Sequence, residues 1–432
     1  MYFEPELECI DRAELEQLQL ERLQSTLYRV SRNVPLYRRR FEEIDFDPEN
    51  IRSLDDIRRL PFTTKQDLRD NYPYGLFAVP LREIVRLHAS SGTTGKATVV
   101  GYTTNDVRRW GRLAARVLAA AGLTRDDLLQ VAFNYSLFTG GFGLHYGAEA
   151  LGASVIPSSG GNDRRQVQII EDYRTTALAC TPSYALHLSD VMDEMGVQKK
   201  GLALKWGLFG GEPWSEPMRR EIEERLGVKA TDNYGVSEIM GPGVAGECLE
   251  QNGLHVNEDH FLFEIIDPKT LDPVAEGETG ELVVTTLTKE GFPMVRFRTG
   301  DLTHLVPGPC ACGRTFRRIG RIIGRSDDML IIKGVNVFPS QVEAVLLDIE
   351  GADPHFRIEI EREGRLDKAT LFLEASENLF TDSMREAREL IERIKRRLAS
   401  ELSVGFEVVL VGRKTLERSH GKTARVVDRR AL

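Results

Sequence analysis

The chain has 432 residues, a formal net charge of −9, 41% hydrophobic and 28% charged residues. That length predicts two or three domains, and the acidic balance argues against a generic nucleic-acid or anionic-membrane binder. No apolar run approaches the roughly 18 residues that span a bilayer, the acidic start has no apolar signal core, and five unevenly spaced cysteines do not make a secreted disulfide framework; a cytoplasmic protein with no membrane partner is expected.

In chain order, Leu15, Leu18, Leu20, Leu23 and Leu27 recur at roughly helical spacing and predict an amphipathic helix over 11–45. Leu60–Leu68 reads as a loop entering a helix, with Thr63 or Thr64 as N-cap. Next comes Ser90-Ser91-Gly92-Thr93-Thr94-Gly95-Lys96. Glycines let the backbone approach a polyphosphate and offer N–H donors, the hydroxyls add donors, and Lys96 adds a positive charge. A Walker A loop needs four residues between its first glycine and the Gly-Lys pair, whereas only Thr93 and Thr94 stand there. By composition alone a flexible surface loop is the competing reading.

From 80 to 240, apolar runs (Leu129–Phe133, Ala153–Ile156, Ala177–Cys180, Trp206–Phe209) alternate with helical patterns near 105–121, 164–173, 182–195 and 215–226. This alternation predicts an α/β fold with parallel strands. Beyond 250, Phe261–Ile266, Gly280–Thr286 and Val295–Arg298 read as strands between turns. Past a linker near Gly324–Asp328, strands at Met329–Ile332, Arg357–Glu361, Ala369–Leu373 and Phe406–Leu410 and helices over 340–349 and 381–402 suggest a small α+β domain. The expected organisation is a large α/β domain over 1–325, with a β-rich subdomain at about 246–325, and a mobile C-terminal domain over 326–432.

Five more segments occur in order: Gly210-Gly211-Glu212-Pro213 after an apolar strand, Asp232-Asn233-Tyr234-Gly235 running on to Glu238, Asp301 in Phe297–Asp301, Arg325 in Gly324–Gly334, and Gly421-Lys422. With Ser90–Lys96 they resemble the adenylate-forming superfamily of acyl-CoA synthetases. Leu137–Tyr146, Thr181–Tyr184, Tyr234–Gly243 and Lys333–Pro339 carry a finer likeness to its phenylacetate–CoA ligases. The resemblance implies two half-reactions. A carboxylate attacks the α-phosphorus of ATP to give an acyl-adenylate and pyrophosphate; CoA thiolate then displaces AMP. It also implies roles. Ser90, Ser91, Gly92, Thr93, Thr94, Gly95 and Lys96 would hold the β- and γ-phosphates, and Glu238 would bind Mg²⁺. Gly210, Gly211, Glu212, Pro213, Asp232, Asn233, Tyr234 and Gly235 would surround the adenine. Asp301 would take the ribose hydroxyls and Arg325 the ribose or phosphate. Lys422 would be the catalytic lysine, Asp327 the hinge, and Lys333, Gly334 and Val335 would line the CoA channel. Taken singly, Glu238 also reads as a helix-start carboxylate, Asp301 as a turn residue and Lys422 as a solvated tail charge.

Tyr135, Phe138 and Gly141 offer aromatic walls and space for a planar acid, and Lys65 matches a family position near the site. Asn134 and Ser136 depart from the family's Tyr/Gly-rich pattern, so phenylacetate leads while hydroxyphenylacetate and indoleacetate stay open. Cys248, His255, Cys310 and Cys312 form a candidate structural Zn²⁺ site, with His260 as a rival ligand and buried free thiols as the alternative. A homodimer is a family-level expectation. Transfer to a carrier-protein thiol is a second reading of the chemistry. A zinc-dependent nucleic-acid module, suggested by Arg314, Arg317, Arg318, Arg321 and Arg325, is a remote third.

Overall fold

The computed structural model describes residues 1–89, 98–326, 330–332, 335–352, 355–363, 366–374, 384–402, 404–412, 415–416 and 425–429. A nine-stranded mixed sheet organises the larger part. Five neighbouring strands run parallel: Lys229–Tyr234, Trp206–Gly210, Ala177–Cys180, Leu128–Val131 and Ser154–Ile156. Parallel neighbours need crossover connections, and the helices Gly140–Leu151, Asp163–Asp172, Pro182–Glu194 and Glu216–Leu226 alternate with these strands along the chain. Ala177–Cys180 is buried at every position, as a strand covered on both faces must be.

After Tyr234 the sheet turns antiparallel, adding Ala245–Glu247, Leu254–Val256, Arg318–Ile319 and Leu305–Val306. A second, four-stranded antiparallel sheet holds Phe261–Ile266, Gly280–Thr286, Phe297–Thr303 and Gly324–Arg325. The stretch 246–325 is therefore shared between two sheets. Past it, Leu330, Ile332, Ile358, Leu371, Ile394 and Leu398 belong to a core of their own. That core lies between the sheet Glu407–Val411, Leu366–Glu374, Phe356–Glu363, Val426–Asp428 and the helices Pro339–Leu347 and Met384–Leu402. Among the described residues, no helix is long and apolar enough to cross a membrane.

Local chemistry explains where the structure departs from the sequence reading. The helix expected over 11–45 is two helices, Arg12–Asn33 and Pro35–Glu43. Pro35 lacks an N–H and pushes Val34 to φ −115°, ψ 108°, outside the helical region. Thr64, rather than Thr63, caps the helix Lys65–Asp70 in a reciprocal box with Asp67; the Thr63 hydroxyl instead donates to Val295 O at 2.6 Å. The helix Gly140–Leu151 was not foreseen, because four glycines in twelve residues lower helix propensity. They serve packing instead: a Cβ at Gly147 would stand 2.7 Å from Ala114 Cβ of the helix Thr104–Ala120.

One buried charge cluster sits within the parallel-to-antiparallel transition. Arg219 and Glu247, each 1% exposed, pair at 2.5 Å, and Glu247 also accepts from the Asp232 backbone N–H at 2.8 Å. Burial and the Glu247 charge raise the Asp232 carboxyl to about 7. Between 3.8 and about 7 the folded protein thus keeps a proton that the unfolded chain has lost, so this group erodes stability as pH rises through that window. Asparagine has no proton to lose. Asp232→Asn is predicted to raise Tm at about pH 8 by more than it does at about pH 5; a gain independent of pH would contradict this.

Candidate active site

The candidate site forms where the parallel strands end. Trp206–Gly210 and Lys229–Tyr234 lie side by side with Gly210 opposite Asn233. A Cβ on Gly210 would fall 2.4 Å from Asn233 O, and Gly211 has φ +83°, so both positions favour glycine. Asn233 Nδ2 donates to Phe209 O at 2.6 Å and ties the two strand ends together. Glu212 Oε1 accepts from Ser183 N at 2.8 Å, in the first turn of the helix Pro182–Glu194, where negative charge is favoured. Pro213 follows in the same turn. A Cβ on Gly235 would lie 1.8 Å from Gly241 O, so the chain beyond Tyr234 folds back tightly.

Tyr234, Asp301 and Arg325 meet although up to 91 positions separate them in sequence. The Tyr234 hydroxyl donates to Asp301 Oδ2 at 2.6 Å, and Arg325 Nη1 donates to Asp301 Oδ1 at 2.7 Å. Arg325 Nη2 also donates to Thr299 O at 2.9 Å. The Asp301–Arg325 register is set by strand pairing, while Tyr234 reaches across from the other sheet. Burial, with the Asp301 charge adding to it, pushes the Tyr234 phenol well above its ordinary range, so it stays a donor. Each carboxylate oxygen can accept more than one hydrogen bond, so Asp301 retains capacity for hydroxyl donors.

Glu238 lies in the turn after Tyr234. The Tyr102 hydroxyl holds that turn from below, donating to Ser237 O at 3.3 Å and Met240 O at 3.1 Å. Beside it Lys289, 1% exposed, places Nζ 4.3 Å over the Tyr102 ring. Burial lowers this ammonium to about 7, against the pull of Asp106 and Glu238. Neither Tyr102 nor Lys289 was anticipated, because neither lies in a recognisable motif. Asp232 belongs to the interior cluster with Glu247 and Arg219.

On the acid side, Tyr135 meets Phe142 edge-on at 5.2 Å, and its hydroxyl lies 3.2 Å from His145 Nδ1. A Cβ at Gly141 would press on the Asn134 carbonyl at 3.1 Å and on Tyr135 at 3.3 Å, so this glycine keeps the wall close. Phe138 is exposed. Leu137 O accepts from Ala89 N at 2.9 Å, which links this loop to the strand leading into Ser90. Lys65 opens the helix Lys65–Asp70. Ser90–Lys96, Asp327, Lys333, Gly334 and Lys422 lie outside the described residues, as does the side chain of Val335, the first residue of the strand Val335–Val337.

The structure also brings together the four residues of the second constellation. The ligand atoms of Cys248, His255, Cys310 and Cys312 all lie within 4.8 Å of one another. Cys248 Sγ and Cys310 Sγ are 3.7 Å apart, and Cys312 Sγ is 3.3 Å from His255 Nε2. His255 Nδ1 lies 3.3 Å from Phe316 O, which turns Nε2 toward the sulfurs. His260 stands apart, against Asp259 at 3.2 Å and Thr288 Oγ1 at 2.6 Å. The arginines after the cysteines are not a free basic face: Arg314 pairs with Glu8 at 2.7 Å, Arg321 with Glu216 at 2.8 Å and Arg325 with Asp301. Arg318 donates to main-chain carbonyls of Asn252 and Gly308.

Comparison with known proteins fits this geometry. A family model described as "AMP-binding enzyme" matches residues 57–288, and one described as "AMP-binding enzyme C-terminal domain" matches 334–430. A phenylacetate-coenzyme A ligase of Thermus thermophilus is 50% identical over 100% of both chains. One of Escherichia coli is 49% identical over 97% of this chain and 96% of its own. Among solved structures, 2-hydroxyisobutyryl-CoA ligase in the postadenylation state superposes with a TM-score of 0.93 at 32% identity, covering 99% of this chain and 92% of that one. The same ligase with CoA in the thioesterification state, at the same coverage, gives 0.73. A strand-end turn of glycines, a tyrosine–aspartate–arginine junction and full-length identity near one half agree: the chain belongs to the phenylacetate–coenzyme A ligases, AMP-forming acid–thiol ligases of the AMP-binding enzyme family.

Proposed function

We propose that this chain activates phenylacetate with ATP and passes the acyl group to coenzyme A. The observation that carries the reading is the Tyr234–Asp301–Arg325 junction beside the Gly210–Pro213 turn, in a chain half identical to phenylacetate-coenzyme A ligases from end to end. In the first half-reaction a carboxylate oxygen bonds to the α-phosphorus and pyrophosphate leaves. In the second, CoA thiolate bonds to the acyl carbon and AMP leaves. The residues serve this chemistry through position and charge. Asp301 takes the ribose hydroxyls, Tyr234 and the Gly210–Pro213 turn border the adenine, and Arg325 lies within reach of ribose or phosphate. Ser90–Lys96 hold the phosphates that depart, and Lys422 meets the charge that develops at phosphorus. Tyr135, Phe142 and Gly141 wall the ring of the acid.

Glu238, at the turn braced by Tyr102, offers oxygen ligation to Mg²⁺, which would supply charge to the departing pyrophosphate. The higher similarity to the postadenylation state supports an adenylation-side placing of the C-terminal unit, with Asp327 as the hinge and Lys333–Val335 entering the CoA channel after rotation. A cytoplasmic homodimer completes the reading.

The Cys248, His255, Cys310 and Cys312 group fits a structural Zn²⁺. Two thiolates each about 2.3 Å from a tetrahedral centre stand about 3.8 Å apart, which matches the 3.7 Å between Cys248 and Cys310. Hydrogen bonds from Cys248 and His255 hold the Cys312 thiol below its ordinary range, favouring the thiolate that a cation takes.

Two measurements test these assignments. Pyrophosphate release should depend on phenylacetate, exceed that with benzoate or short aliphatic acids, and be accompanied by phenylacetyl-CoA when CoA is present. Release that is blind to the acid, or adenylate formation with no CoA product, would overturn the reading. Protein purified without added zinc should carry about one zinc per chain, lost in Cys310→Ser; a metal-free wild-type protein would remove the zinc assignment.

A further inference from the structure

The strand Arg86–Ala89 pairs antiparallel with Val99–Tyr102 and leads directly into Ser90. Side chains two apart on a strand share a face, and Arg86 and His88 both turn to the helix Gly140–Leu151. The Arg86 guanidinium lies 5.0 Å from the Phe142 ring, and the His88 ring meets Phe142 edge-on at 5.4 Å. Tyr102 at 5.5 Å and Trp110 at 5.7 Å also flank the imidazole, which is 2% exposed.

Against this strand lies the stretch 133–138, between the strand Leu128–Val131 and the helix Gly140–Leu151. It is irregular, so no ladder or helix holds its main chain. Among the described residues, hydrogen bonds to that main chain fall on one atom: Leu137 O accepts from Ala89 N at 2.9 Å and from His88 Nδ1 at 3.0 Å. A carbonyl oxygen has two lone pairs and can only accept, so Nδ1 carries the imidazole proton. Burial holds the imidazolium below its ordinary range and keeps the ring neutral. The side chains of Leu137 and Phe138 stand exposed around this tether. At the helix end of the stretch, Thr139 Oγ1 lies 3.0 Å from Ser237 Oγ. The bond from Ala89 N belongs to the main chain and survives any side chain at 89. The bond from His88 is chosen by the sequence, at a position among three aromatic rings where an apolar residue would avoid the cost of burying a polar one.

We propose that His88 is a positioning residue for the acid: its Nδ1–H, bonded to Leu137 O, sets the wall against which the ring of the aryl-acetic acid packs. The inference rests on the reading above that Tyr135, Gly141 and Phe142 wall the acid. His88 touches that wall twice, at Leu137 O through the bond and at Phe142 through the ring, and Phe142 in turn meets Tyr135 at 5.2 Å. Loss of the bond leaves the ring contacts in place but loosens the stretch that carries Tyr135. Acid binding should weaken, with nucleotide binding little changed.

The test measures KM for phenylacetate and KM for ATP in acid-dependent ATP–pyrophosphate exchange. His88→Phe keeps a ring beside Phe142, Tyr102 and Trp110 but has no donor. Its KM for phenylacetate is expected to rise roughly fivefold or more, the effect of about 1 kcal/mol, while its KM for ATP stays within about twofold. His88→Asn loses the ring but places an amide N–H where Nδ1–H stood, so it should recover most of the affinity for phenylacetate. A residue that only fills space would give the reverse order, with Phe tolerated and Asn impaired. That reverse order, equal impairment in both variants, or a rise in KM for ATP matching that for phenylacetate overturns the inference. If His88→Phe does not accumulate as folded protein, His88→Met, which also lacks a donor, takes its place with the same expected result. Wild-type exchange that ignores the acid defeats the functional reading itself, whereas an acid-dependent wild type with an indifferent His88→Phe defeats only this inference.

Discussion

One carboxylate joins the two sheets of the large unit. Asp301 lies in the four-stranded sheet, its register partner Arg325 holds one oxygen, and Tyr234 reaches over from the nine-stranded sheet to hold the other. The end of the strand Lys229–Tyr234 is thereby fixed against the antiparallel sheet at Asp301. The turn at Gly210 and Gly211 beside it favours glycine, because a side chain there would meet Asn233 or demand an unfavourable backbone. A charge-assisted bond of this kind contributes more than a neutral one. Preorganised donors and acceptors of this sort make a nucleotide site effective without rearrangement at each turnover.

Charge governs the other junctions as well. Arg219 and Glu247 neutralise each other inside the sheet, while Asp232 next to them is left with a raised proton affinity. Within the smaller unit, the buried Glu343 pairs with Arg425 at 2.6 Å. A buried pair of this kind adds little net stability but is costly to break. Among the described residues, the cysteines of the cysteine–histidine group fall with Ala120 in a small buried cluster of their own, apart from the larger cores. A metal there would replace core that the loop-rich segment cannot supply.

Much of this was legible in the sequence, for identifiable reasons. The alternation of apolar runs and helical patterns foretold the parallel strands, since strands buried on both faces are nearly all apolar, as Ala177–Cys180 is. Gly210, Asp301 and Arg325 were singled out by the family resemblance of their motifs and the four metal-ligand candidates by their ligand chemistry; the structure brings Asp301 to Arg325 and the four ligand atoms together. Other features depend on tertiary contact and leave no local mark. The helix Gly140–Leu151 follows from glycines that admit Ala114 and Trp110. Lys289 is an ordinary lysine until Tyr102 and Phe292 enclose it. The neighbours of Asp232 are likewise unmarked in the sequence: Glu247 accepts from its backbone N–H and pairs with Arg219. The arginine run after Cys312 resembled a basic surface only because its partners, Glu8, Glu216 and Asp301, are remote in sequence.

The account stands or falls on Asp301 as the centre of the nucleotide site. Asparagine keeps the shape and an acceptor for Tyr234 but removes the charge. The decisive measurement is the dissociation constant for ATP of Asp301→Asn against the wild type, at matched Tm. A hydrogen bond to a charged group contributes about 1.5–3 kcal/mol, so binding should weaken at least roughly tenfold. Unchanged ATP affinity in a folded Asp301→Asn protein would contradict the account.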